Sequence, residues 1–127
     1  MPRDPLARVR SICLSLPDAH EVEGWGEPTF RIKNKIFAMY ASAENHHGAG
    51  RPAIWCMAAP GNQDLMVRSD PDRYFVPPYV GPSGWIGMRL VRRVRWSAVA
   101  ELLKEAYQLR ALRPTGRKRA APKRRGR

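Results

Sequence analysis

The stretch Tyr79-Val80-Gly81-Pro82-Ser83-Gly84-Trp85-Ile86-Gly87-Met88-Arg89-Leu90 decides the fold. An apolar approach enters a Gly-Pro-Ser-Gly turn, and an alternating strand follows. Ile86, Met88 and Leu90 fall on one face of that strand, with Trp85, Gly87 and Arg89 on the other. Gly87 leaves a gap in the outer face, as a bulge or a close backbone approach requires. Nothing in the turn is chemically reactive. Ser83 lacks the second glycine that a nucleophile elbow needs, so it is a turn serine.

Working outward from this hairpin, residues 53–57 alternate Ile54 and Cys56 against Ala53, Trp55 and Met57. Residues 36–41 are apolar on both faces, which suits a central strand. Residues 29–33 place Phe30 and Ile32 inward and Thr29, Arg31 and Lys33 outward, and Asn34 is a left-handed turn residue. Asp4-Pro5 starts a helix, with Asp as the cap and Pro in the first helical position. Leu6, Val9, Ile12, Cys13 and Leu16 recur at helical spacing until Pro17 stops them. Residues 18–28 read as a loop carrying Asp18, Glu21, Glu23 and Glu27. A short helix is expected over 62–68 and a turn at Asp70-Pro71 that delivers Tyr74 and Phe75. A last helix covers 97–109, with Val99, Leu102, Leu103, Ala106 and Leu109 as its buried stripe. The order helix, three strands, helix, two strands, helix implies an α+β fold. It predicts two layers, an antiparallel sheet of about five strands with helices on one face, and a second sheet face left largely open.

At 127 residues, a single domain over 1–112 suffices for a core without disulfides or metal. The net charge of +12 is uneven. Residues 110–127 hold nine Lys/Arg and no acid, whereas the other 109 residues carry 14 basic and 11 acidic groups. Residues 113–127 lack apolar periodicity and read as a disordered basic tail that recruits polyanions, nucleic acid phosphates above all. Cys13 and Cys56 form no paired motif and read as reduced core residues of a cytoplasmic protein. No window suits a signal core or a membrane span.

Several separated motifs resemble the MmcQ/YjbR family of small bacterial proteins. They are Leu16-Pro17, Trp25-Gly26-Glu27-Pro28-Thr29-Phe30-Arg31, Lys35-Ile36-Phe37-Ala38 and Asp70-Pro71 with Tyr74-Phe75. Pro77-Pro78-Tyr79-Val80-Gly81, Gly84-Trp85-Ile86-Gly87 and Glu101-Leu102-Leu103-Lys104-Glu105-Ala106-Tyr107 continue them in order. The resemblance covers about residues 8–109. It implies a two-layer α+β domain similar in outline to frataxin-like and secretion-chaperone-like folds, and a DNA-binding role on a proposed double-wing surface. The family usually has an acidic cap before the last helix. Here Arg95 precedes Trp96, and Ser97 is the expected cap.

Candidate chemistry is sparse. Gly24-Trp25-Gly26 lacks the third glycine and the helix start of a phosphate-binding loop, so it is a plain turn. His46-His47 with Glu44 lacks a completing ligand, so no metal or cofactor is expected. Helix 1 is basic apart from Asp4, unlike the acidic helix of a frataxin-like iron chaperone. The four tryptophans, taken singly, read as packing residues. The remaining constellation is aromatic and basic: Arg31, Lys33, Lys35, Trp55, Trp85 and Arg89 on the open sheet face and its loops, with the Arg/Lys set as the functional candidates, joined by Arg117, Lys118, Arg119, Lys123, Arg124 and Arg125 of the tail. The expectation is a non-enzymatic module that binds DNA or another nucleic acid through phosphates, with low sequence specificity. No membrane partner is expected, and a monomer is the default state. The alternative is a small-molecule- or protein-binding adaptor that uses the open sheet face and a groove at 77–85, with the tail incidental.

Overall fold

The computed structural model describes residues 4–45, 47, 50–91 and 93–112. Three helices and a six-stranded antiparallel sheet make an α+β fold, in the order α1 (Pro5–Leu14), β1 (His20–Gly24), β2 (Glu27–Ile32), β3 (Lys35–Ala41), β4 (Ala53–Cys56), α2 (Asn62–Ser69), β5 (Tyr74–Phe75), β6 (Ile86–Arg89) and α3 (Trp96–Leu112). A single 3-10 turn, Gly81–Ser83, lies between β5 and β6.

The sheet order is β1-β2-β3-β4-β6-β5. The strand that ends the opening motif, β6, therefore pairs with β4, and two-residue β5 is left outside it at the edge. The sixth strand is β1, in a segment whose sequence reads as an acidic loop. Its side chains are half-buried or exposed, so it shows no apolar alternation. Pairing to β2 and the bond from the Thr29 hydroxyl to the Val22 carbonyl hold it in the sheet. Glu21 is also tied down, because the Arg10 guanidinium grips its carboxylate at 2.8 and 2.9 Å and joins α1 to β1. That bond holds the Glu21 carboxyl below its ordinary value.

One face of the sheet packs on α1 and α3. Phe30, Ala38, Ile54, Cys56, Ile86 and Met88 point there and are fully or almost fully buried, opposite Val9, Cys13, Val99 and Leu103. Phe37 is the extra residue of a bulge, since Phe30 pairs with Ala38 while Arg31 pairs with Ile36. The bulge turns Phe37 toward α3, where its ring meets Tyr107 edge-on at 5.6 Å. Tyr107 then donates to the Pro17 carbonyl at 2.7 Å, and Arg110 donates to the Ile36 carbonyl at 3.1 Å, which fixes α3 across the sheet. Cys13 and Cys56 are both fully buried, and burial pushes their thiols up.

The helix ends differ in detail from the pattern. Asp4 caps α1 by accepting from the Leu6 amide, but the helix stops at Leu14, before Pro17. Ser97 lies inside α3, and the Arg95 carbonyl accepts from Ala98 and Val99 at its start. Ser97 is therefore not the cap. None of the described helices is long and apolar enough to cross a membrane.

Candidate ligand-binding groove

The second sheet face carries Thr29, Met39, Ala41, Ala53 and Trp55, and these are buried too. Thr29 reads as an outward residue in sequence yet is fully covered. Instead of a flat open face there is a groove of about 810 Å³. Met39 and Trp55 form its floor, Trp25 to Glu27 one wall, Tyr79 and Val80 the other, and the loop after β3 its end. This volume lies within the range of small-molecule sites, and its lining is mostly apolar with a few polar groups.

Two aromatic residues stand out on the rim. Trp25 is 81% exposed and Tyr79 is 79% exposed. Both have backbones in the left-handed region, at φ 57° and 67°. That conformation costs an ordinary residue about 1–2 kcal/mol, and bulky side chains rarely adopt it. Trp25 and Gly26 form the two-residue turn between β1 and β2, where Asn or Gly is the favoured occupant of the first position. Tyr79 is the centre of a tight three-residue turn closed by the Val80 amide on the Pro78 carbonyl at 2.6 Å. Its support is rigid. The Gln63 amide on α2 donates to the carbonyls of Gly81 and Trp85 at 2.8 and 2.6 Å, bracing the segment that follows.

A polar relay sets the end wall. One oxygen of buried Glu27 accepts from the Ser42 amide, the Ser42 hydroxyl and the Asn45 side chain, each at 3.0–3.1 Å. Asn45 in turn accepts from the His47 amide at 2.9 Å. His47 is thereby placed with its ring 6.3 Å from Trp55 and 5.5 Å from Tyr79. Glu27 reads in sequence as one of four acids in a solvated loop, yet it acts as the staple of this wall.

The basic residues singled out from sequence do not share this site. Lys33 lies in the β2–β3 turn and Lys35 opens β3, both exposed. Arg89 pairs through Ala53 with Ala41, at the other end of β3. Six residues at roughly 3.3 Å each separate those ends by roughly 20 Å. Arg31 turns back to Thr29 and Asn34, and Arg89 lies over the Phe75 ring while donating to the carbonyls of Pro71 and Asp72. Trp55 is buried in the groove floor and Trp85 is buried before β6, while Trp25, read as packing, is the most exposed of the four. Arg117, Lys118, Arg119, Lys123, Arg124 and Arg125 lie outside the described residues, as does His46. Among the described residues no group of three His, Cys, Asp or Glu is placed to hold a metal ion. The signal for the groove was the flanking of Trp25 by two glycines and of Tyr79 by Pro-Pro and Gly, each a turn that lifts an aromatic ring out of the chain.

A family model described as YjbR matches residues 14–109. The fold is similar to the crystal structure of a Deinococcus radiodurans protein with a DUF419 domain, with a TM-score of 0.70 at 17% identity over 86% of this chain and 80% of that one. No curated protein matches the chain. At that identity the structural likeness extends to the fold alone.

Proposed function

This chain belongs to the MmcQ/YjbR family, and from that premise we propose that it is a binding module whose ligand site is the groove on the second sheet face. The observation that carries the reading is the pair of exposed aromatics, Trp25 and Tyr79, held in left-handed backbone on either side of an apolar floor. Left-handed strain at a bulky residue persists where the surroundings over-determine it, and such residues cluster at ligand sites. Neither ring contributes a buried core contact that would offset the strain. The groove walls at this end contain no Lys or Arg, so the lining favours an apolar or aromatic ligand over a phosphate chain.

The test is a fluorescence titration with the neutral probe N-phenyl-1-naphthylamine. Saturable one-to-one binding is expected, weakened at least tenfold in the Trp25→Asn/Tyr79→Gly double variant. Unsaturable emission, or equal affinity in the double variant, would overturn the reading.

Nucleic-acid binding through phosphates is a second proposal, and it rests on charge. Nine Lys/Arg without an acid in residues 110–127 support it, independently of the groove.

A further inference from the structure

We infer that the groove takes an apolar or aromatic molecule ending in a carboxylate, with the carboxylate held between Arg51 and Arg89. This rests on the reading of the groove as a ligand site and names the chemistry of its occupant.

Beside the groove, and sharing His47 and Trp55 with it, lies a small cavity lined also by Phe75, Arg51 and Arg89. No acidic side chain lines that cavity. Arg51 is exposed and makes no hydrogen bond or ion pair among the described residues. Arg89 spends one nitrogen on the neutral carbonyls of Pro71 and Asp72, at 3.3 and 3.0 Å, and stacks on Phe75 at 4.6 Å. These contacts aim its guanidinium without neutralising it. Burial first and Arg51 second hold the Arg89 guanidinium below its ordinary value, with Asp72 opposing. Two like charges thus face one half-enclosed space, and an anion placed there relieves their repulsion. Planar forks on two sides suit a carboxylate, which accepts paired N–H bonds from a guanidinium.

The polarity of the whole groove follows from its other end. Glu27 also lines it, but one of its oxygens is already saturated by three donors. Glu44 lines it too, exposed to water. The groove is thus polarised: Glu27 and Glu44 line it away from the small cavity, and the cationic charge sits at the Arg51–Arg89 end. The cavity there is about 20 Å³, room for little more than one water-sized atom. That size admits one oxygen of an anion, with the rest of the group projecting out of the cavity. The apolar remainder of the ligand then lies along Trp55 and Met39 toward the Trp25 and Tyr79 rims.

The experiment is displacement of N-phenyl-1-naphthylamine from the full chain by 3-phenylpropionate, 3-phenylpropan-1-ol and 3-phenylpropylamine at 0.15 M salt. The carboxylate should displace the probe at a concentration at least tenfold below the alcohol, and the amine should be the weakest. Arg51→Gln should cut the acid-over-alcohol ratio at least fivefold. Because Arg51 is exposed and without described partners, this variant keeps the fold intact. Equal midpoints for acid and alcohol, a preferred amine, or an undiminished acid preference in Arg51→Gln would overturn the inference and leave the groove reading standing. Failure of the probe itself to bind would overturn both.

Discussion

Replacing Gly87 with alanine tests whether the Arg89 end of the groove is built as described. Gly87 on β6 pairs with Phe75 on β5. A Cβ at position 87 would lie 2.4, 2.5 and 2.7 Å from Cζ, Cε2 and Cε1 of the Phe75 ring, where ordinary contact begins at 3.4 Å. The ring must retreat by about 1 Å, against the Arg89 guanidinium stacked on it at 4.6 Å. Overpacking of this kind costs about 1–3 kcal/mol. Alanine recovers about 0.5–1 kcal/mol over glycine in a strand through lower backbone entropy in the unfolded chain. The net expectation is a loss of about 1–2 kcal/mol, or roughly 5–10 °C in melting temperature for a domain near 100 residues. Urea denaturation should be run on Gly87→Ala in the native and Phe75→Ala backgrounds, as a double-mutant cycle. Without the ring, the new methyl group meets open space and the substitution should be neutral or slightly stabilising. Equal cost in both backgrounds, or no cost in the native one, would refute the close approach.

Trp25→Asn should stabilise the domain by about 0.5–1 kcal/mol, since asparagine tolerates the left-handed turn and the lost side chain is mostly solvent-exposed; urea midpoints check this. Glu21→Gln should destabilise it by up to about 1 kcal/mol at pH 7. The Glu21 carboxyl is held low in the folded state, chiefly by Arg10, so its contribution is present above the unfolded carboxylate value and fades as pH falls through the folded one. Thermal melts of both forms should therefore begin to converge as pH falls below the unfolded carboxylate value of about 4.3. Truncation after Leu112 removes eight cations and should flatten the salt dependence of duplex DNA binding by several units, at roughly −0.9 per phosphate neutralised; an unchanged slope in gel-shift titrations would remove the nucleic-acid proposal.

Alternation over residues 53–57 and 86–90 placed Ile54, Cys56, Ile86 and Met88 on the helix side, and the stripe of α3 was legible down to Ala106. These elements declare themselves because one face is wet or different and the other is core. Strand β1 was not legible, because an edge strand with two mixed faces has no period to read. Nor was the burial of its neighbour Thr29, which depends on pairing with β1, where its hydroxyl bonds the Val22 carbonyl and its methyl group lies beside Gly24. The gap at Gly87 was visible in the sequence, but its occupant was not: Phe75 belongs to a two-residue strand too short to show any pattern. A groove on the sheet face beside 77–85 was legible as the alternative reading, but its Trp25 wall escaped for a related reason. Sequence reasoning assigns tryptophan to packing on average, whereas backbone conformation at Trp25 and Tyr79 decides the matter locally. The basic residues were easy to see, and the separation between them depends on register, which composition does not contain.

The two enclosed thiols give this domain an internal clock. Cys13 sits on α1 and Cys56 on β4, at the seam between layers, and neither is reachable while the layers stay closed. Alkylation by iodoacetamide under native conditions must wait for opening, so its rate reports the frequency and free energy of that event. Undocking of α1 alone would label Cys13 first, while cooperative opening would label both together. Mass spectrometry of singly and doubly modified chains over time distinguishes the two without any engineered probe. Ligand in the groove, on the opposite side of the sheet, would then slow labelling to the extent that it binds the closed form alone.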